Sequence, residues 1–226
     1  MDCYPSKRLT TVILSWLKQI LSILTFLKFQ TMNVTIDLPP WAVNENANLP
    51  ASIKSIEERM RAVIRFSELN VQHQTGGPFA AGVFEKESGK PVIIGVNRVV
   101  PLGISSAHAE IVTLMLAQAK VGSFDLAADG LPEHQLVISA QPCAMCYGSI
   151  PWSGVRSIVI AASSQQVESI AGFDEGAVHP QWKEELQRRG IDVTENILAD
   201  EACKVLQAFV DSGQAVYNAK TVLKKE

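Results

Sequence analysis

From residue 51 onwards, segments of helix and strand character alternate along the chain, and that alternation limits the fold more than any single motif does. "SIKSIEERMRAVIRFSELNVQ" (52–72) repeats its apolar residues at helical spacing, with Ile53, Ile56, Met60, Val63 and Ile64 on one face. Gly76, Gly77 and Pro78 stop it and open "FAAGVFEK", which the turn "ESGK" at 87–90 joins to "PVIIGVNRV" as a β-hairpin. "SSAHAEIVTLMLAQAK" is apolar on nearly every side, so it is expected as a helix buried between layers, capped by Ser105 or Ser106. Strand "QLVISA", a helix opened by Pro142, strand "RSIVIAA", a helix near 180–189, strand "IDVTENI" and helix "DEACKVLQAFVDSG" follow. The architecture that buries such an order is α/β, a three-layer α/β/α sandwich around a central mixed sheet.

With 226 residues, 47% of them hydrophobic, the chain suffices for one well-buried core. That core is assigned to residues 51–226, and the Pro-containing polar stretch 32–50 reads as a linker. Residues 1–31 differ from the rest. "LTTVILSWLKQILSILTFLKF" is apolar with a narrow stripe of Thr11, Ser15, Lys18, Ser22 and Thr25 at helical spacing. A secretory signal is disfavoured, because Lys18 interrupts the apolar run and no small-residue cleavage site follows. A membrane anchor or interfacial helix fits by length; the simpler reading is an extension outside the fold, with Met32 as the functional start. Membrane contact is expected only if that extension is retained.

The net charge of the chain is -3, but residues 1–32 carry +3, so the body carries -6. An acidic body without a Lys/Arg stripe argues against a nucleic-acid partner. Four scattered cysteines are too few for the framework of a small secreted fold, which points to a reducing compartment, the cytoplasm, where thiols bind metal or do chemistry.

Cys143 and Cys146, in "QPCAMCYG", are such thiols, and their spacing alone suits a disulfide switch, a structural zinc knuckle or a catalytic metal. "AHAE" adds His108 at the start of another helix, giving three ligands. Structural zinc sites are closed by four protein ligands, whereas catalytic zinc keeps a position for water. Glu110, two residues beyond His108, stands beside such a metal without ligating it and is placed to move the water's proton. Taken singly, each residue has an ordinary reading: a redox pair, a core histidine, a helix-start charge complementing the dipole. H-x-E followed by P-C-x-x-C is nevertheless the signature of the zinc-dependent base deaminases.

The chain resembles guanine deaminases of the cytidine deaminase-like zinc aminohydrolases, over essentially residues 51–220. The stretches that carry the resemblance are "GGPFAAGVFE", "GVNRVVP", "AHAEI", "QPCAMCYGSIPWSGV", "AGFDEG" and, more weakly, "VYNAK". "GFDE" separates guanine deaminases from relatives that share both metal motifs; Gln141 stands where the family usually has Glu. The resemblance implies Zn2+ held by His108, Cys143 and Cys146, and proton transfer by Glu110 and Glu175. It also implies Phe79 and Trp152 as walls of the base site, Asn97 hydrogen-bonded to the purine, and the Ala109 backbone N–H near the substrate carbonyl. A homodimer is implied, in which the C-terminal segment of one chain lies near its partner's site.

The expected function is zinc-dependent hydrolysis of guanine to xanthine and ammonia. The alternatives are a tRNA adenosine deaminase, which needs a basic face; a deaminase of cytosine, a triazine or another small amino-substituted ring; and, last, a non-catalytic zinc module. Removing residues 1–31 is expected to leave a soluble chain that releases ammonia from guanine at the full-length rate. Lost activity, or sedimentation of the full chain with membranes, would contradict Met32 as the functional start.

Overall fold

A computed structural model describes residues 16–19 and 34–218. The chain divides into two compact units, Met1–Thr35 and Ile36–Glu226. In the first, residues 16–19 are helical, and most of the expected amphipathic leader lies outside the described residues. Among the described residues, no helix is long and apolar enough to cross a membrane.

The second unit begins earlier than the sequence suggests. Residues 38–50, read as a linker, contain helix α1 (Pro40–Ala47), whose Ala42 is fully buried in the core. A proline at its first position presets the helical φ, a cue that a polar composition masks. Helix α2 (Ile56–Gln72) starts at Ser55, whose hydroxyl accepts from the Glu58 N–H at 3.3 Å, and Glu57 and Glu58 complement its dipole. The expected face is buried: Met60, Val63 and Ile64 lie in the core.

Strands β1 (Ala80–Glu85) and β2 (Pro91–Val96) form the expected hairpin, and β2 runs on into a short helix α3 (Val99–Leu102). Helix α4 (Ala109–Val121), β3 (His134–Ala140), helix α5 (Ala144–Ser153) and β4 (Ser157–Ala162) follow. Next comes helix α6 (Ser164–Ala171), absent from the sequence reading although Ser163 and Gln166 form a complete capping box. Helix α7 (Trp182–Gln187), the short strand β5 (Asp192–Thr194) and helix α8 (Ala199–Asp211) complete the order.

The sheet runs β2-β1-β3-β4-β5, with β1 antiparallel to both neighbours and β3, β4 and β5 parallel. Alternate residues feed opposite layers. Val137 and Val159 meet the α1, α2, α6 and α8 side, while Leu136, Ile138, Ile158 and Ile160 meet α4, α5 and α7. This is the expected α/β/α sandwich with its mixed sheet. One expectation is corrected: α4 is not enclosed on every side, since Met115 is 46% exposed although Val112 is buried against Val99 and Ala107.

Two contacts fix elements that carry the site. Arg59 is buried without a carboxylate; its guanidinium donates to the carbonyls of Ile53 and Lys86 and to Gln135 Oε1, joining α2 to the sheet. At Gly95 the sheet and α4 approach so closely that a Cβ would stand 2.4 Å from Thr113 Oγ1. Gly95→Ala is therefore expected to push α4 outward and destabilise the fold by about 1–3 kcal/mol, read as a lower urea midpoint. An unchanged midpoint would show that this approach does not hold the helix.

Candidate active site

Two helices that start at the same end of the sheet bring His108, Cys143 and Cys146 together. His108 is the N-cap of α4, in place of the expected Ser105 or Ser106, and Cys143 is the N-cap of α5. Cys146 falls at the third helical position, and N-cap and third-position side chains face one another, as in a capping box. That geometry is why two cysteines at this spacing meet. The donor atoms of the three residues lie within 4.8 Å of one another, with Cys143 Sγ 3.5 Å from His108 Nδ1. Among the described residues, no other group of three His, Cys, Asp or Glu has that closeness.

The charges suit a cation. A hydrogen bond from the Cys146 thiol, aided by His108 and by the Cys146 backbone N–H, lowers Cys143 to about 4. Cys146, donor of that bond and deeply buried, is pushed up. Burial works to lower His108, but Cys143 and Glu110 outweigh it and its pKa rises. The pair thus shares one proton, which a divalent cation displaces on binding. One imidazole nitrogen and two sulfurs are a donor set for zinc, and three ligands leave a coordination position for water.

Two carboxyl groups face the same space. Burial, then the neighbouring Cys143 charge, pushes Glu110 up to about 7. Glu175 is pushed up to about 8 by burial and by the charges of Glu110 and Cys143. Its loop is tied to the sulfur ligands, because the Glu175 carbonyl accepts from the Ala144 N–H, next to Cys143, at 3.0 Å.

These groups open onto a cavity of 310 Å³ that includes Phe79, Asn97, His108, Glu110, Cys143 and Glu175 in its lining. Phe79, Phe173 and Tyr217 form an aromatic wall, with ring centroids 5.0 Å apart for the first pair and 4.9 Å for the second. Asn97 is fully buried; its Oδ1 accepts from the backbone N–H groups of Gly77 and Val99, and its Nδ2 donates to the Tyr217 hydroxyl at 2.5 Å.

One expected contact, Trp152, is placed differently, and for Ala109 only the backbone can serve. Trp152 lies outside the cavity and is 86% exposed, because α5 carries it about 13 Å along the helix axis from Cys143. The Ala109 methyl packs into the core away from the cavity lining; its backbone N–H, at the first position of α4, has no partner within the helix.

Phe173 and Tyr217 are the walls that the sequence reading missed, although each lies in a quoted stretch. Asn218 closes the same side: its Nδ2 donates to the Gly172 carbonyl and its Oδ1 accepts from the Asp174 N–H. Thus "VYNAK" reaches the cavity of its own chain through Tyr217 and Asn218, while Ala219 and Lys220 lie outside the described residues.

Residues 53–162 match the family model of the cytidine and deoxycytidylate deaminase zinc-binding region. The chain is similar to the solved structure of a guanine deaminase from Nitrosomonas europaea, with 48% identity and a TM-score of 0.76 over 80% of this chain and 97% of that one. A second solved structure, in complex with 2,6-diaminopurine, is 49% identical with a TM-score of 0.76, over 83% of this chain and 97% of that one. A curated guanine deaminase of Bacillus subtilis is 28% identical over 116 residues, 51% of this chain and 69% of the relative.

Purified protein is expected to contain about one zinc per chain by elemental analysis, and Cys143→Ala or Cys146→Ala to lose it, since three ligands leave no redundancy. Full retention by both variants would remove these residues from the metal site.

Proposed function

The chain belongs to the cytidine and deoxycytidylate deaminase zinc-binding family, and we propose that it is a guanine deaminase, which hydrolyses guanine to xanthine and ammonia. The observation that carries this reading is the pair of buried carboxyl groups, Glu110 and Glu175, facing one ring-walled cavity beside the ligand trio. Similarity to the Nitrosomonas europaea enzyme along almost its whole length supports it.

In the reaction, oxygen from water replaces the exocyclic nitrogen at C2, and that nitrogen leaves as ammonia. Zinc, when bound, supplies a water acidic enough to lose a proton near neutral pH. Glu110 accepts that proton, passes it to ring nitrogen N3 and then serves the departing amine. The amine of guanine projects from C2, so a second direction of proton delivery is needed, and Glu175 provides it. Burial raises the pKa of both carboxyl groups, so each is able to hold as well as release a proton in the site. Phe79, with Phe173 and Tyr217, holds the flat base, and Asn97 addresses its edge. The Ala109 N–H stays available to the substrate carbonyl.

A free base fits a cavity of this size better than a tRNA loop does, and the acidic body of the chain repels a phosphate backbone. Free thiols at Cys143, Cys146 and Cys203 fit the cytoplasm. The homodimer implied by the family resemblance has a natural seat on the outer side of α4 and α5, where Met115, Met145 and Trp152 stand exposed. This would give Trp152 its place.

Glu110→Gln keeps the shape of the side chain but cannot accept a proton. Ammonia release from guanine should fall at least ~10²- to 10⁴-fold with zinc content unchanged. Glu175→Gln should also lose most turnover while keeping its zinc. Near-normal turnover by Glu175→Gln would reduce that residue to a loop charge and take away the strongest reason for guanine over other ring amines.

A further inference from the structure

The Asn97 side-chain oxygen accepts from the Val99 N–H and from the Gly77 N–H, and the Gly77 side of this pair is reached by a one-way line of hydrogen bonds that starts outside the cavity, on α1. The Trp41 indole can only donate, and it gives its N–H to Thr75 Oγ1 at 2.9 Å. The single hydroxyl proton of Thr75 then goes to Asn70 Oδ1 at 2.8 Å. With its oxygen so engaged, Asn70 turns its amide nitrogen the other way, donating to the Gly77 carbonyl at 2.8 Å and the Asn97 carbonyl at 3.0 Å. The Gly77 N–H returns to Asn97 Oδ1. Each group can play only one part in this line, so reversing the Asn70 amide would set nitrogen against the Thr75 proton and oxygen against two carbonyls.

The surroundings leave no slack. Asn70 is fully buried on α2, and at Gly76, whose φ is 156°, a Cβ would fall 1.9 Å from the Asn97 carbonyl oxygen and 2.7 Å from Asn70 Nδ2. Only a residue without a side chain lets the two asparagines close on this turn.

We propose that Asn70, oriented by Thr75 and Trp41, is a positioning residue that, together with the Val99 N–H, fixes the Asn97 amide with its nitrogen toward the cavity, where one N–H meets the Tyr217 hydroxyl and the other faces a hydrogen-bond acceptor on the base edge. The proposal rests on the reading of Asn97 as a base contact. Asn70 itself does not line the cavity, and it acts through Asn97 and the Gly77 peptide.

The test is a double-mutant cycle on the zinc-loaded full chain with guanine as substrate. Thr75→Val removes the proton that sets Asn70 while keeping the size of the side chain, and Thr75→Ser keeps the hydroxyl. Thr75→Val should raise KM roughly five- to tenfold with little change in kcat, the pattern of a lost anchoring bond. Thr75→Ser should behave as the parent does, and Thr75→Val should add nothing in an Asn97→Ala background. An unchanged KM in Thr75→Val, or the same increase with and without Asn97, would overturn the proposal. If Asn97→Ala alone leaves KM unchanged, the base-contact reading fails first and the proposal falls with it. Asn70→Asp, which turns both donors into acceptors, provides a second entry to the same cycle if Thr75→Val does not fold.

Discussion

Two helix N-termini meeting at one point are what the rest of the molecule is arranged around. A thiolate is costly to bury, and three metal-binding side chains crowded together are costlier still unless something favours negative charge. The starts of α4 and α5 provide it, through the free N–H groups and the positive end of each helix dipole. His108 and Cys143 occupy the N-cap positions themselves, so each helix begins directly behind a donor of the trio and its axis runs away from it. The sheet exists, in this sense, to hold two helix starts in register. Leu136, Ile138 and Ile158 form the apolar bed for both, and Gly95 lets α4 settle onto it.

The same arrangement explains the placement of the two carboxyl groups. Glu110 follows His108 on the first turn, so the helix that brings the imidazole to the trio also brings the carboxyl group proposed to move the proton. Glu175 arrives on a separate loop and needs its own anchor, which the hydrogen bond between its carbonyl and Ala144 supplies at the start of the other helix. Their positions are therefore set by backbone that also sets the ligands. Burial raises the pKa of each carboxyl group, and the Glu110 charge raises that of Glu175 further.

The hairpin is legible from a short local pattern, the His108, Cys143 and Cys146 trio from two short motifs 35 residues apart, and the fold class from the order of helix and strand patterns along the chain. Trp152, implied by the resemblance alone, stands outside the cavity of its own chain, because α5 carries it away from its cap at Cys143. Phe173 and Tyr217 were passed over because their meeting with Phe79 is a contact between distant segments, which no spacing rule reports. The cap of α4 was assigned to a serine by residue preference; the imidazole of His108 occupies that position without making a cap bond. Helix α6 had a capping box in plain view at Ser163 and Gln166, and its brevity hid it. Asn97 follows strand β2, where asparagine is common in turns, so its residue type alone carries no signal of a site and the resemblance supplies it.

Helix α1 has a second duty at the sheet margin. Strand β2 is an outer strand, and at Ile94 the side chain of Asn46 imitates a missing neighbour: its Oδ1 accepts the Ile94 N–H and its Nδ2 donates to the Ile94 carbonyl, both at 2.8 Å. An outer strand with free backbone groups is a template for another chain, and here one amide occupies the template at its apolar centre. The opposite margin, β5, is three residues long and offers little to pair with. A segment that reads as connecting chain thus works against fibril-like association, and shortening the protein to its motif-bearing part would uncover a sticky margin while leaving every ligand in place.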